Sequence, residues 1–180
     1  MKIAIFGPKD KQVPDDYISR IAGAIPNRSD LVIVTGGTVG FPTDIAKKLT
    51  SQTRDCYTPC RNREEWESYK LKGILPSMEL FDNIYWSNET GDIKLRALKR
   101  IPRLVENSSL CFAYLAGQGN THLEVLSSLS LGIPVLGLTM DSVPGGSFRE
   151  YYDKLSRESK HLGLYSDIKE FVNEINRRLK

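Results

Sequence analysis

The chain has 180 residues, of which 40% are hydrophobic and 26% are charged, and its formal net charge at pH 7 is +3. This composition is typical of one globular domain with enough apolar residues for a core. The weak positive charge is not gathered into a block of like charge, which argues against a nucleic-acid-binding surface.

Membrane insertion and secretion are also disfavoured. No stretch approaches the roughly 20 apolar residues of a membrane span, and the first apolar run ends at Gly7 and Pro8, too early for a signal peptide. We therefore expect a cytoplasmic protein with no membrane partner. The three cysteines are an odd number, which argues against a disulfide framework. Cys56 and Cys60 lack a second cysteine pair, so we predict no metal site.

Short apolar runs alternate with helical patterns along the chain. The predicted strands are residues 2–6, 31–35, 54–58, 83–87, 110–115 and 133–139. The predicted helices are residues 13–25, 42–49, 92–106, 121–131, 150–156 and 166–179. We interpret residues 61–73 as a surface excursion with a helical turn, and residues 162–164 as a short link. Asp92 is expected to cap its helix, and Pro102 to kink that helix or divide it in two.

This alternation predicts the fold class. We expect a single α/β domain over residues 1–180, with a three-layer, doubly wound, mainly parallel sheet of the Rossmann-like kind. Residues 31–35 and 110–115 are almost wholly apolar, as is typical of strands that are buried on both faces. In such sheets ligands bind outside the carboxyl ends of the strands, near the point where the strand order reverses.

Two glycine-rich turns directly follow predicted strands, at residues 36–40 and 117–121. Glycine lets the backbone approach a ligand closely, and a helix that starts after such a turn points free N–H groups at one place. We therefore predict one phosphate-bearing ligand bound between the two turns. The residues predicted to bind it are Gly36, Gly37, Thr38, Gly40, Gly117, Gly119, Asn120 and Thr121. Neither turn has the dinucleotide or Walker spacing, which argues against an ordinary NAD site or a P-loop NTPase.

Five residues have alternative interpretations. Thr121 and Glu124 have the spacing of a capping box, in which Thr121 caps the helix and Glu124 accepts from the Thr121 N–H. Alternatively, Thr121 holds a phosphate and Glu124 faces a sugar. Arg100 is either a solvated helix residue or a ligand-binding one, and His122 is either a surface residue or a general base. Lys9 faces either the same site or solvent.

The order of these features resembles the LOG-like family of Rossmann-like proteins. That family includes nucleotide phosphoribohydrolases that activate cytokinins, as well as molybdenum-cofactor carrier proteins. Residues 35–40 resemble its first glycine turn, residues 58–62 the segment after its third strand, and residues 115–124 its L-P-G-G-x-G-T-x-x-E motif. Arg100 stands at the position of the family's arginine before that motif.

The resemblance is incomplete in the second turn. Ala116 stands where the family has proline, and Gln118 and Asn120 stand where it has glycine. Thr121 and Glu124 are retained. Gln118 adds a side chain where the family leaves room, whereas asparagine tolerates a left-handed backbone.

The resemblance implies hydrolysis of the N-glycosidic bond of a nucleoside 5′-monophosphate, which gives a free base and ribose 5-phosphate. Glu124 would stabilise the oxocarbenium-like sugar and activate water, Arg100 would hold that carboxylate or the phosphate, and no cofactor would be needed. The alternative is a non-catalytic protein of the same fold that binds, carries or senses a nucleotide or a molybdopterin-type cofactor. The resemblance also implies a homodimer, with the helix at residues 92–106 as one candidate for the contact.

Overall fold

A computed structural model describes residues 1–9, 13–116, 119–139 and 146–180, without the side chains of residues 146–148. It contains one parallel sheet with the strand order β4-β3-β2-β1-β5-β6-β7. The strands are β1 (Lys2–Phe6), β2 (Val32–Thr35), β3 (Thr53–Tyr57), β4 (Asn83–Tyr85), β5 (Leu110–Tyr114), β6 (Val135–Leu138) and β7 (Leu162–Tyr165). Within the described ranges, no helix is both long enough and apolar enough to cross a membrane.

Helices connect the strands. They are α1 (Asp15–Ala24), α2 (Phe41–Lys48), α3 (Arg63–Leu71), α4 (Ile93–Lys99), α5 (Ile101–Val105), α6 (Asn120–Ser130), α7 (Gly146–Glu158) and α8 (Ile168–Leu179), with a short 3-10 helix at Met78–Leu80. One apolar cluster packs α1, α2 and α8 on one face of the sheet, and a second packs α5, α6 and α7 on the other. The molecule is therefore a three-layer, doubly wound α/β domain, and this prediction is confirmed.

The strand order reverses between β1 and β5. The chain builds the sheet outward from β1 to β4 and then returns to place β5 on the free side of β1. Ala4 of β1 is consequently paired with Val34 on one side and with Cys111 on the other. A crevice at the carboxyl ends of β1 and β5 is the expected ligand site in this topology.

The helix predicted at residues 92–106 is divided in two, as Pro102 suggested. Asp92 caps α4 by accepting a hydrogen bond from the Leu95 N–H at 2.9 Å. Pro102 lies in the first turn of α5, where a proline needs no intrahelical donor. Arg100 occupies the junction between the two helices, as the C-cap of α4 and the N-cap of α5.

Two predictions of local structure are wrong. Residues 61–73 contain the regular helix α3, which Asn62 caps by accepting from the Glu65 N–H. Its many polar residues lie outside, while Trp66 is fully buried in a third apolar cluster and donates from Nε1 to the Pro76 carbonyl. The supposed link at residues 162–164 belongs to β7, an edge strand paired with β6. Gly163 interrupts the apolar run of β7, so the sequence pattern did not predict a strand there.

Candidate functional site

Three segments meet where the strand order reverses: the loop after β1, the turn after β2 and the start of α6 after β5. They enclose a cavity of about 270 Å³, which we call the polar chamber. Its lining residues are Gly7, Pro8, Lys9, Thr38, Arg100, Asn120, Thr121 and Glu124. The fold thus brings together residues from both glycine turns with Arg100 and Glu124, which are far apart in sequence.

A second cavity of about 670 Å³, the apolar chamber, adjoins the first. The two share Lys9, Thr38, Arg100 and Asn120 in their linings. The remaining lining of the apolar chamber comes from the β3–α3 loop, α3, the segment after it, and α4: Pro59, Tyr69, Lys72, Ile74, Leu75, Ile93, Lys94, Ala97 and Leu98. A ligand could therefore extend from polar surroundings at the strand ends into largely aliphatic ones.

Arg100 lies at the junction of the chambers and is only 6% exposed, so its interpretation as a solvated helix residue is wrong. Its Nη1 donates to the Gly36 carbonyl at 2.5 Å and to the Tyr57 carbonyl at 3.1 Å. Its Nε is buried and has no hydrogen-bond partner among the described residues. Burial lowers the pKa of the guanidinium, although the charge of Glu124 opposes this shift. The planar donors of a guanidinium make strong, charge-assisted hydrogen bonds with carboxylates and phosphates, so Arg100 can bind an anion where the two chambers meet.

Glu124 projects from α6 and is 6% exposed. Burial raises the pKa of its carboxyl from 4.5 to about 7, and the nearby Arg100 charge opposes the rise. Both residues also line a recess of about 20 Å³ that shares four lining residues with the polar chamber. A carboxyl with this pKa is partly protonated at neutral pH, so it can hold or release a proton there.

The capping-box interpretation of Thr121 and Glu124 is wrong. The N-cap of α6 is Gly119, with φ 120°, and no side chain provides a cap hydrogen bond. The helix therefore begins at Asn120, one residue earlier than predicted, and both proposed capping residues lie inside it. Thr121 and Glu124 instead line the polar chamber, where the first turn of α6 presents its N-terminal dipole.

The glycines of the first turn have different surroundings. A Cβ on Gly36 would collide with the Arg100 guanidinium, and one on Gly37, where φ is 75°, would lie 2.5 Å from Cys56 Sγ. Gly40 is the N-cap of α2, with φ 113°, and a Cβ there would lie 2.8 Å from the Pro8 carbonyl. Of these three, Gly36 lines the recess, while Gly37 and Gly40 line neither chamber. Gly117, a predicted site residue, lies outside the described residues together with Gln118.

Several site residues were not recognised from the sequence. Lys9 was left open between site and solvent, and it lines both chambers. Gly7 and Pro8 directly follow the first strand, a position that signals the switch point of a doubly wound sheet. His122, considered as a general base, lines neither chamber. It lies beside α7, with Nδ1 3.2 Å from the Tyr152 hydroxyl and its ring against Tyr151.

The comparisons with known proteins reveal the fold. No protein-family model matches the chain, and no curated protein sequence is similar to it. A molybdenum cofactor binding protein from Rippkaea orientalis superposes with a TM-score of 0.66 at 20% identity, over 99% of this chain and 97% of that one. The molybdenum cofactor carrier protein of Chlamydomonas reinhardtii gives 0.63 at 15% identity, over 98% and 96%.

A third similar structure is DNA processing protein A of Helicobacter pylori, which binds single-stranded DNA. It gives a TM-score of 0.67 at 16% identity, over 99% of this chain and 81% of that one. At such identities the likeness establishes a shared Rossmann-like fold. The function has to be argued from the chambers of this chain.

Proposed function

We propose that residues 1–180 form a LOG-like domain that binds a phosphate-bearing nucleotide or a molybdopterin-type cofactor and carries or senses it without altering it. The observation that carries this proposal is the buried Arg100, whose Nε lacks a described partner at the junction of the two chambers. The ligand would lie across this junction, with its phosphate in the polar chamber and its ring system in the apolar chamber.

The polar chamber has the chemistry of a phosphate site. Lys9 and Arg100 supply positive charge, the start of α6 supplies N–H groups and its dipole, and Thr121 supplies a hydroxyl. The apolar chamber suits a flat heterocycle because most of its walls are aliphatic. Two of the proteins with this fold are named for binding or carrying the molybdenum cofactor, which favours a carrier over an enzyme.

The direct test is to identify the ligand that co-purifies, by mass spectrometry of the denatured protein. A parallel titration with AMP, GMP and inorganic phosphate can use tryptophan fluorescence, because Trp66 packs against the Gly37 turn and lies 6.2 Å from Trp86 between ring centres. We expect a nucleotide or pterin in the extract and saturable binding of at least one nucleotide at micromolar concentration. An empty protein that binds none of these probes would contradict the proposal.

Hydrolysis of a nucleoside 5′-monophosphate is the second candidate, favoured by the Glu124 pKa of about 7 beside Arg100. Unprotonated Glu124 would accept a proton from a water molecule while the oxygen of that water bonds to the anomeric carbon of the sugar. The bond from that carbon to the base nitrogen breaks, and the leaving base takes up the proton that Glu124 accepted, which restores the carboxylate. AMP, GMP, IMP and CMP should be incubated with the protein and the free base assayed by chromatography. Base release that is lost in Glu124→Gln would favour the enzyme, whereas binding without release would favour the carrier.

Thr121→Ala should weaken AMP binding by about 1 kcal/mol or more, because a hydroxyl that donates to a charged phosphate is lost. Thr121 is 5% exposed and lines the polar chamber. Isothermal titration of AMP is the measurement, and Ser130→Ala is the matched control. Ser130 lies at the other end of α6 and donates to the Ser127 carbonyl. Equal affinities for Thr121→Ala and the control would remove Thr121 from the phosphate site.

We also expect a homodimer, by resemblance to the LOG-like family. Two leucines of α4, Leu95 and Leu98, are 44% and 39% exposed and could pack against a second copy. Light scattering at micromolar concentration should give twice the 20.3 kDa of the chain, and Leu95→Glu combined with Leu98→Glu should reduce this to one chain. A wild-type protein that scatters as a single chain would refute the prediction.

A further inference from the structure

The described lining of the apolar chamber carries positive charge. Among the described residues, four cationic side chains line it: Lys9, Lys72, Lys94 and Arg100. No aspartate or glutamate is among the described residues of its lining. Lys72 and Lys94 form no ion pair with a described carboxylate, whereas two neighbouring lysines, Lys70 and Lys99, pair with Glu67 and Glu89.

The four cations fall into two groups along the chambers. Lys9 and Arg100 are shared with the polar chamber, so they lie at the end where the proposed phosphate binds. Lys72 and Lys94 line only the apolar chamber of the two. Lys72 also lines an outer groove formed by α3, and its Nζ lies 4.9 Å from the centre of the Tyr69 ring. These two lysines therefore belong to the part of the apolar chamber that the polar chamber does not share.

We infer that the ligand carries a second anionic group beyond its ring system, and that Lys72 and Lys94 bind this group. The inference rests on the proposed function, since it assumes a phosphate in the polar chamber. The ring would lie against the aliphatic walls contributed by Ile74, Leu75 and Ala97, with an anion at each end. The ligand class is thus an elongated molecule with two anionic ends, such as a nucleotide whose base carries carboxylates or a further phosphate.

Three nucleotide probes separate the contributions. They are AMP, AMP whose exocyclic amino group carries a butyl chain, and AMP whose amino group carries a dicarboxyethyl group. The last two add similar bulk to the apolar chamber but differ in charge. We expect dicarboxyethyl-AMP to bind about fivefold more tightly than butyl-AMP, since two lysines at a partly exposed site would face its carboxylates.

The double variant Lys72→Gln, Lys94→Gln should abolish this preference, measured as the ratio of the affinities for dicarboxyethyl-AMP and butyl-AMP within the same variant. The control is the double variant Lys70→Gln, Lys99→Gln, which removes the same two positive charges. Lys70 lies in α3 and Lys99 in α4, and neither lines a chamber. Equal affinity of the wild type for butyl-AMP and dicarboxyethyl-AMP would overturn the inference, and so would a preference that survives the double variant. In either case, binding of AMP would still support the proposed function. Binding of none of the three probes would contradict the proposed function, and the second anion site with it.

Discussion

Replacing Arg100 with methionine is expected to weaken AMP binding by at least about tenfold, the equivalent of one hydrogen bond to a charged group. Methionine keeps the apolar stem of the side chain but removes the guanidinium, and with it the buried Nε that lacks a described partner. Arg100→Lys should recover only part of the affinity, because an ammonium keeps the charge without the planar set of donors. Isothermal titration at pH 7 measures both variants.

The same substitution has two opposing effects on stability, so the net loss should stay below the cost of the lost hydrogen bonds. The Gly36 and Tyr57 carbonyls lose their donor, which costs about 1–2 kcal/mol, but a desolvated charge is also removed from the interior. Affinity and stability should therefore separate in this variant. If the loss in the free energy of AMP binding is no larger than the loss in the free energy of unfolding, Arg100 is a structural residue.

Arg96 provides the matched control, one helical turn before Arg100 in the chain. It is 2% exposed, pairs with Glu65 across α3 and α4, and lines neither chamber. Its hydrogen bonds hold the pKa of the Glu65 carboxyl down at about 2. Arg96→Met should lower the free energy of unfolding by about 2 kcal/mol or more, because it leaves Glu65 without its cation. Its AMP affinity, measured where the variant is folded, should change less than that of Arg100→Met.

The fold was predictable because its main signal is local. A strand buried on both faces must be apolar throughout, and the stretches at residues 31–35 and 110–115 satisfy this condition without any tertiary information. The errors occurred where tertiary contacts outweigh the local pattern. The helix α3 is polar except on the side that buries Trp66, and the edge strand β7 contains a glycine.

The candidate site was predictable to a lesser degree. Both glycine turns indicated the correct edge of the sheet, but the roles of individual residues depend on contacts across the fold. Gly37 is next to Thr38 in sequence, yet it faces Cys56 while Thr38 lines both chambers. Likewise Arg100 could not be recognised as buried, because its partners belong to β2 and β3 segments more than 40 residues away. The apolar chamber was missed since its walls lie in the region around α3 that was interpreted as surface.

Glu124→Gln should change the pH dependence of stability. The folded protein holds a Glu124 proton up to a pKa of about 7, whereas the unfolded chain releases it near the ordinary value of 4.5. The contribution of this group to the free energy of unfolding is therefore fully present below pH 4.5 and is lost as the pH rises to 7. Glutamine cannot ionise, so relative to wild type the variant should gain about 2–3 kcal/mol between pH 5 and pH 8.

Chemical denaturation at several pH values measures this difference. The exposed Glu106 supplies the control, because Glu106→Gln removes the same charge from the surface and should follow the wild-type curve. Parallel curves for wild type and Glu124→Gln across this range would contradict the raised pKa of Glu124.

The same variant should also distinguish a carrier from a hydrolase. Above pH 7 the Glu124 carboxylate and a phosphate in the polar chamber would repel each other across a poorly solvated space, so Glu124→Gln should bind AMP about tenfold more tightly than wild type at pH 8. Near pH 5 the two proteins should bind alike, because Glu124 is then protonated. A carrier gains affinity in this variant and loses nothing, whereas a hydrolase loses base release while still binding its substrate. Weaker AMP binding by Glu124→Gln at pH 8 would mean that Glu124 accepts a hydrogen bond from the ligand. That result would contradict the prediction that the phosphate faces the Glu124 carboxylate.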